Sequence, residues 1–208
     1  LAPNDLDLAP RGAGAVSAYG ELVLNDPTSE SVEARARYGF SEEWNFAAIL
    51  GTGSKNKKLR LGGEAVFNFL PDWDGQVGLS AFTSLLYLRR YNSNGLQWRI
   101  GPLVHKRVDA ISGLPATLYI ALPFYLEGRS GSYQSGSQFV VGALWDINSQ
   151  GRFYGSSELG LKLSKSESYI LLGLGFRLGE LRFYKKERGA KARKGIEDSD
   201  EYTDEDFK

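Results

Sequence analysis

The sequence predicts an all-β fold, a closed antiparallel up-and-down β-barrel of about ten strands, with eight or twelve as the neighbouring counts. Three observations carry this. Apolar and polar residues alternate with a period of two along most of the chain, the spacing at which strand side chains return to the same face. The alternating runs are roughly 9–14 residues long, against about 5–6 for an ordinary globular strand. Short turns rich in Gly, Asn, Asp, Ser and Pro separate them, so neighbours in sequence should pair in space.

Residues 1–12, with Pro3, Asp5 and Pro10, lack alternation and read as an extended lead-in, a short segment of which has room to tuck inside the barrel. A weak strand at 15–25 ends in Asn25-Asp26-Pro27. From 32 to 40, Val32, Ala34, Ala36, Tyr38 and Phe40 share one face, and Glu33, Arg35, Arg37 and Gly39 the other. A helix would spread those charges around its circumference. After a turn at 41–43 comes a weak strand at 44–53, then a turn at 54–57. Leu59, Leu61, Gly63, Ala65, Phe67 and Phe69 next alternate with Lys58, Arg60, Gly62, Glu64, Val66 and Asn68. Beyond the turn at 71–75, a weak strand at 76–90 leads to a turn at 92–95. Leu96, Trp98, Ile100, Pro102 and Val104 oppose Gln97, Arg99, Gly101, Leu103 and His105. After a turn at 109–115, one continuous strand is expected at 116–126, with Tyr119, Ala121, Pro123 and Tyr125 on its polar face. A turn is expected at 128–136. Phe139, Val141, Ala143, Trp145 and Ile147 then alternate with Gln138, Val140, Gly142, Leu144 and Asp146, ending in a turn at 148–151. A weak strand at 152–164 and a turn at 164–168 precede the last strand, where Ile170, Leu172, Leu174, Phe176 and Leu178 oppose Tyr169, Leu171, Gly173, Gly175 and Arg177. The barrel is thus expected over 13–184. The charged tail 185–208, basic from Lys185 to Lys194 and acidic from Glu197 to Asp206, has little apolar surface to bury.

Composition narrows the function classes. The chain has 25 Lys plus Arg against 25 Asp plus Glu, which gives no sign of a nucleic-acid partner. With no cysteine, disulfides, thiolate metal sites and catalytic thiols are excluded. Methionine is absent even at position 1, so a removed N-terminal segment, a signal peptide, is expected. No run approaches the roughly 18 apolar residues of a membrane-spanning helix.

Alternating strands close in two ways. A soluble lipocalin-like carrier turns its apolar face inward, whereas a transmembrane barrel turns it toward lipid and lines its lumen with polar groups. Strand length favours the second, since tilted spanning strands need about 9–11 residues. So do the polar faces, where glycines make room for arginines, and the aromatics near strand ends. Tyr38, Phe40, Trp44, Phe67, Phe69, Trp73, Tyr87, Trp98 and Trp145 form the expected lipid-interface girdle. Over 13–184 the pattern resembles the small outer-membrane β-barrels of Gram-negative bacteria. Gly173, Phe176 and Leu178 match the Gly-x-x-apolar-x-apolar core of the signal read by the outer-membrane insertion machinery. Leu171 departs from the usual polar residue there, and the chain continues past the strand instead of stopping at an aromatic. The resemblance implies outer-membrane lipid, lipopolysaccharide and that machinery as partners. It also implies a periplasmic C-terminal tail, because an even-stranded barrel has both ends on one side.

The candidate site is the inward charge set: Glu21, Glu33, Arg35, Arg37, Arg60, Glu64, Arg99, His105, Arg107, Glu127, Arg129, Asp146, Arg152, Glu158, Lys162 and Arg177. In a narrow lumen these should pair, many as Arg–carboxylate contacts. Two non-enzymatic readings follow: a rigid structural anchor with a plugged lumen, or a narrow porin-like constriction whose surplus positive charge favours anions. A third makes the barrel a lipid-modifying or peptide-cleaving enzyme, with the sole histidine, His105, moving protons alongside Ser80, Ser84 or Tyr125. No Ser-His-acid spacing supports it. Asp72-Trp73-Asp74-Gly75 lacks the oxygen ligands of a calcium loop, and Gly51-Thr52-Gly53 precedes no helix, so no metal or cofactor is expected. Arg89, Arg90, Lys55, Lys57 and Lys58 fall at one rim, where lipopolysaccharide phosphates would be attracted.

Overall fold

The structure, a computed structural model, describes residues 9, 11–25, 28–72, 76–90, 93–109, 115–129, 131–147 and 151–178. The charged tail 185–208, most of the lead-in, the end of the expected barrel range at 179–184 and Trp73 lie outside these residues.

The strands are β1 (Gly14–Val23), β2 (Ser29–Gly39), β3 (Trp44–Gly53), β4 (Leu59–Leu70), β5 (Gly78–Arg89) and β6 (Asn94–Asp109). They continue with β7 (Pro115–Ala121), β8 (Phe124–Arg129), β9 (Ser132–Asp146), β10 (Phe153–Ser164) and β11 (Tyr169–Leu178). Each pairs antiparallel with its neighbours, and β11 returns to β1 over the full length from Gly14↔Leu178 to Val23↔Tyr169, so the sheet closes. Segments β7 and β8 are two halves of one stave, since both lie between β6 and β9, and the barrel has ten staves. Closure removes every exposed strand edge.

The break within that stave differs from the continuous strand expected at 116–126. Pro123 has no N–H to donate, and Leu122-Pro123 interrupts the strand without opening the wall. The Leu122 amide donates to the Pro102 carbonyl (3.2 Å) and the Gln138 amide to the Pro123 carbonyl (3.0 Å). The turn expected at 128–136 is also much shorter, because β8 runs to Arg129 and β9 starts at Ser132. Gly131, at φ 78°, permits so tight a reversal.

Alternation sorts the side chains inside-out relative to a soluble barrel. Ile120 (47% exposed), Trp145 (37%) and Leu174 (64%) are on the outside, while Arg35 and Arg37 are buried at 3%. Among outward positions of the described strands, only Glu30, Arg89 and Lys106 are ionic, and all three lie near strand ends. Water would leave that apolar exterior unsatisfied, and hydrocarbon would not, so the sheet is built to span a membrane.

Both described ends, at Gly14 and Leu178, lie at one mouth of the barrel with the turns before β3, β5, β7 and β10. Ala9 is buried there, its amide donating to the inward Asn45 Oδ1 (2.8 Å). The other mouth carries the turns before β2, β4, β6, β9 and β11. A 3-10 turn, Lys55–Lys57, sits at this far mouth.

Candidate functional site

The inward charges form two main groups, which meet at a far-mouth cavity lined by Lys57 and Arg60 of the first and Arg90, Arg99 and Glu127 of the second. The first group is carried by β1, β2 and β4. Arg60 Nη2 donates to Glu21 Oε2 (2.9 Å) and Ser31 Oγ (2.9 Å), and lies 3.4 Å from Glu33 Oε2. Arg35 Nε donates to Glu33 Oε1 (2.7 Å), and Arg37 Nη2 to Glu64 Oε1 (2.9 Å). Lys57 reaches in from the 3-10 turn to Glu21 Oε1 (2.7 Å). Between β2 and β4, the intervening strand β3 presents the small or aliphatic residues Ala47, Ile49 and Gly51, so long side chains can cross over it. A Cβ on Gly51 would come within 3.3 Å of Arg60 Nε. These arginine and glutamate side chains are 1–3% exposed. Taking them out of water is expensive, and only mutual pairing offsets it.

The second group lies near the far mouth. Arg90 Nη2 donates to both Glu127 oxygens (2.9 and 2.8 Å), Arg129 Nε to Glu127 Oε1 (2.6 Å), and Gln97 to Glu127 Oε2 (3.1 Å). Gln97 Oε1 in turn accepts from Arg99 Nε (2.5 Å). Above them, the turn between β10 and β11 is tied down across the mouth. Gln134 Nε2 donates to the Lys165 carbonyl (2.9 Å) and Gln138 Nε2 to the Glu167 carbonyl (2.7 Å). Tyr125 also donates to the Lys165 carbonyl, and Lys57 Nζ lies 3.1 Å from Glu167. Between this turn and the arginines is an open cavity of about 460 Å³.

The rest of the lumen wall is largely apolar or aromatic. Val66, Phe82, Leu103, Tyr119, Ala121, Val140, Leu144 and Tyr154 form one buried cluster, and Tyr19, Val23, Tyr169 and Leu171 another. Glu158, 2% exposed on β10, accepts from Tyr119 Oη at 2.6 Å and also from Tyr169. Arg177 Nη1 donates to Asp146 Oδ1 (2.6 Å), and its guanidinium lies 4.7 Å from the centre of the Tyr154 ring.

Thirteen of the sixteen sequence-nominated charges lie within the wall's inner face as buried or half-buried residues. The other three are exposed. Arg107 and Lys162 are on inward positions at opposite mouths, and Arg152 precedes β10 in a turn. Sequence reading placed Arg90 and Lys57 at a rim and left them out of the network. Their side chains enter it from turns, where alternation says nothing. The Glu158 phenol partners were equally hidden, since they depend on register across β7, β9, β10 and β11.

His105 is buried, with its ring packed over the backbone of Gly78, its cross-strand partner. Its Nε2 lies 3.2 Å from Ser80 Oγ, which donates to Asn68 Oδ1 (3.2 Å). Ser84 is four residues further along β5, about 13 Å at a strand's rise, and Tyr125 bonds to the β10–β11 turn. The nearby Asp72 carboxylate is taken by Lys106 Nζ (2.8 Å) and the Arg107 amide. Among the described residues, His105 therefore has a serine but no carboxylate in a hydrogen-bonded relay. Among the described residues, no group of three or more His, Cys, Asp or Glu is placed to hold a metal ion.

The nominated aromatics Tyr38, Phe40, Trp44, Phe69, Tyr87, Trp98 and Trp145 are exposed on the outer surface, and Phe67 is half-exposed. Trp44, Phe46, Phe67 and Phe69 form a run of ring contacts at the terminal mouth, with Trp44–Phe67 centroids 4.7 Å apart. Phe46, Phe153 and Phe176, not nominated, join this belt, the last two 4.9 Å apart. Trp98 is further from its strand end, and its indole N–H is satisfied by Thr83 Oγ1 (2.8 Å).

No protein-family model matches the chain, and no curated protein sequence does. Solved structures do. The β domain of the Bordetella autotransporter BrkA is 12% identical, with a TM-score of 0.50 over 82% of this chain and 100% of that one. An outer-membrane channel from Pseudomonas putida F1 is 13% identical, with a TM-score of 0.45 over 86% and 99%. Ail, the attachment invasion locus protein of Yersinia pestis, is 12% identical, with a TM-score of 0.27 over 81% and 99%. At such identities the likeness concerns the fold alone. The chain is a ten-staved antiparallel β-barrel of the architecture found in bacterial outer-membrane proteins.

Proposed function

We propose that this protein is a non-enzymatic barrel of the bacterial outer membrane whose lumen is shut, a rigid anchor and not a conducting pore. One observation carries the reading. Within the lumen, Leu103, Tyr119, Val140, Tyr154, Tyr169 and Leu171, from five of the strand segments, are each at most 2% exposed. A water-filled channel would leave lumen side chains wetted, and ions do not cross a packed apolar layer. The apolar exterior supports a membrane location. Both ends at one mouth agree with a tail on the periplasmic side, and contact with outer-membrane lipid and the insertion machinery follows from the same placement.

The experiment is conductance of the purified protein in planar bilayers. A silent membrane, with insertion verified by protease protection, is the expected result. Stepwise currents with anion selectivity would overturn it in favour of the narrow pore, a reading supported by the arginines at the far mouth. Among the described residues, the hydrolase or acyltransferase reading draws on His105 and Ser80, with no carboxylate hydrogen-bonded to the imidazole to orient it.

A further inference from the structure

We propose that the cavity at the far mouth is a binding site for a phosphorylated saccharide. Its volume of about 460 Å³ falls in the range of small-molecule sites, roughly 300–1,000 Å³. Seven basic side chains line it against two carboxylates, Glu127 and Glu167. Arg90 and Arg129 share the single Glu127, and Glu167 already faces Lys57. Neither Lys162 nor Lys165 has an ion-pair partner among the described residues, so the field in the cavity is positive. Arg90 adds a donor in want of an acceptor, because its Nε is buried without a hydrogen-bond partner. A buried N–H left unmade is costly, and a ligand oxyanion beside it would remove that cost.

Phosphate alone would not need the remaining wall. Gln134, Gln138, Ser93 and Tyr125 line the same space and offer neutral donors and acceptors. The two glutamine amide nitrogens are engaged by the β10–β11 turn, which fixes the side chains and leaves their carbonyl oxygens to accept from hydroxyl groups. Rigid neutral acceptors beside a cationic cluster suit a sugar bearing a phosphate. The sugar phosphate has two sources, a soluble molecule or the headgroup of a phosphorylated saccharolipid such as lipopolysaccharide.

The test titrates glucose 1-phosphate into the full chain in neutral detergent by calorimetry, with glucose as the uncharged control. Saturable binding of the phosphate ester is expected, weakened by added salt, and none of glucose. The double variant Lys162→Gln/Lys165→Asn should lower affinity at least tenfold with an unchanged urea midpoint, because both side chains are exposed and asparagine tolerates the φ of 43° at 165. Added lipopolysaccharide distinguishes the sources. Displacement of glucose 1-phosphate identifies the saccharolipid headgroup, and undisturbed binding identifies a soluble ligand. Failure of both anions to bind saturably, or equal binding by the double variant, overturns the proposal. Channel activity in bilayers would leave it standing, so the two readings fail separately.

Discussion

Four interior tyrosines each lie over a glycine directly across the ladder: Tyr19 over Gly173, Tyr119 over Gly142, Tyr169 over Gly160 and Tyr154 over Gly175. A Cβ at Gly142 would stand 2.2 Å from the Tyr119 ring. That ring cannot swing away, since its hydroxyl is bound to Glu158 and the residue is only 2% exposed. Gly142→Ala should therefore destabilise the barrel by about 1–3 kcal/mol, the usual penalty of overpacking. Adding Tyr119→Leu should return part of the loss, and urea unfolding of the three variants in detergent measures both effects. Additive losses would show that ring and glycine do not share the space. The inward glycines were legible from alternation, which assigned them the role of making room for charges. What fills the room was not, because the partner ring is chosen by register, and register depends on turn lengths and shear that a single sequence leaves open.

Among the elements, the β8–β9 hairpin shows where turn chemistry outweighs pattern. The Ser/Gly/Gln run from 132 to 137 lacks apolar alternation and was expected to loop, yet it pairs with β8 from Arg129↔Ser132 to Phe124↔Ser137. It lies at the mouth, where outward side chains need not be apolar, so the hydrophobic signal fades before the strand ends. The reversal is left to Gly131, at φ 78°. Nothing lies within 4 Å of a Cβ built there, so a side chain would meet only backbone strain. Gly131→Ala should accordingly cost about 1–2 kcal/mol, the penalty of the left-handed region for an L-residue. A lowered urea midpoint with an unchanged slope is the expected signature. A slope change would mean that the hairpin rearranges instead. Pro123 gives the complementary case: an interrupted strand was readable from the proline itself, but its inward alternation with Tyr119, Ala121, Tyr125 and Glu127 outweighed it in the sequence reading.

For the whole molecule, the same alternation that reveals a barrel cannot alone say which face is inside, since a soluble closure uses the mirror assignment. Strand length and the aromatic positions broke that tie, and the wall is accordingly apolar outside and ionic or aromatic within. The membrane placement then becomes measurable through the tryptophans, because Trp44, Trp98 and Trp145 are all on the outer surface. In a Trp73→Phe background, reconstitution into bilayers of lipids brominated along their acyl chains should quench most of the fluorescence. Bromine acts only on contact, so rings facing hydrocarbon are quenched and rings sealed inside a protein are not. Aqueous iodide should quench little by comparison. Bromine depth should also separate the rings: Trp44, in the belt at the terminal mouth, should respond most to bromines near the headgroups, and Trp98, further from its strand end, to deeper ones. Fluorescence indifferent to lipid bromine but sensitive to iodide would place all three rings in water, and an exterior so apolar would then have to be covered by other protein.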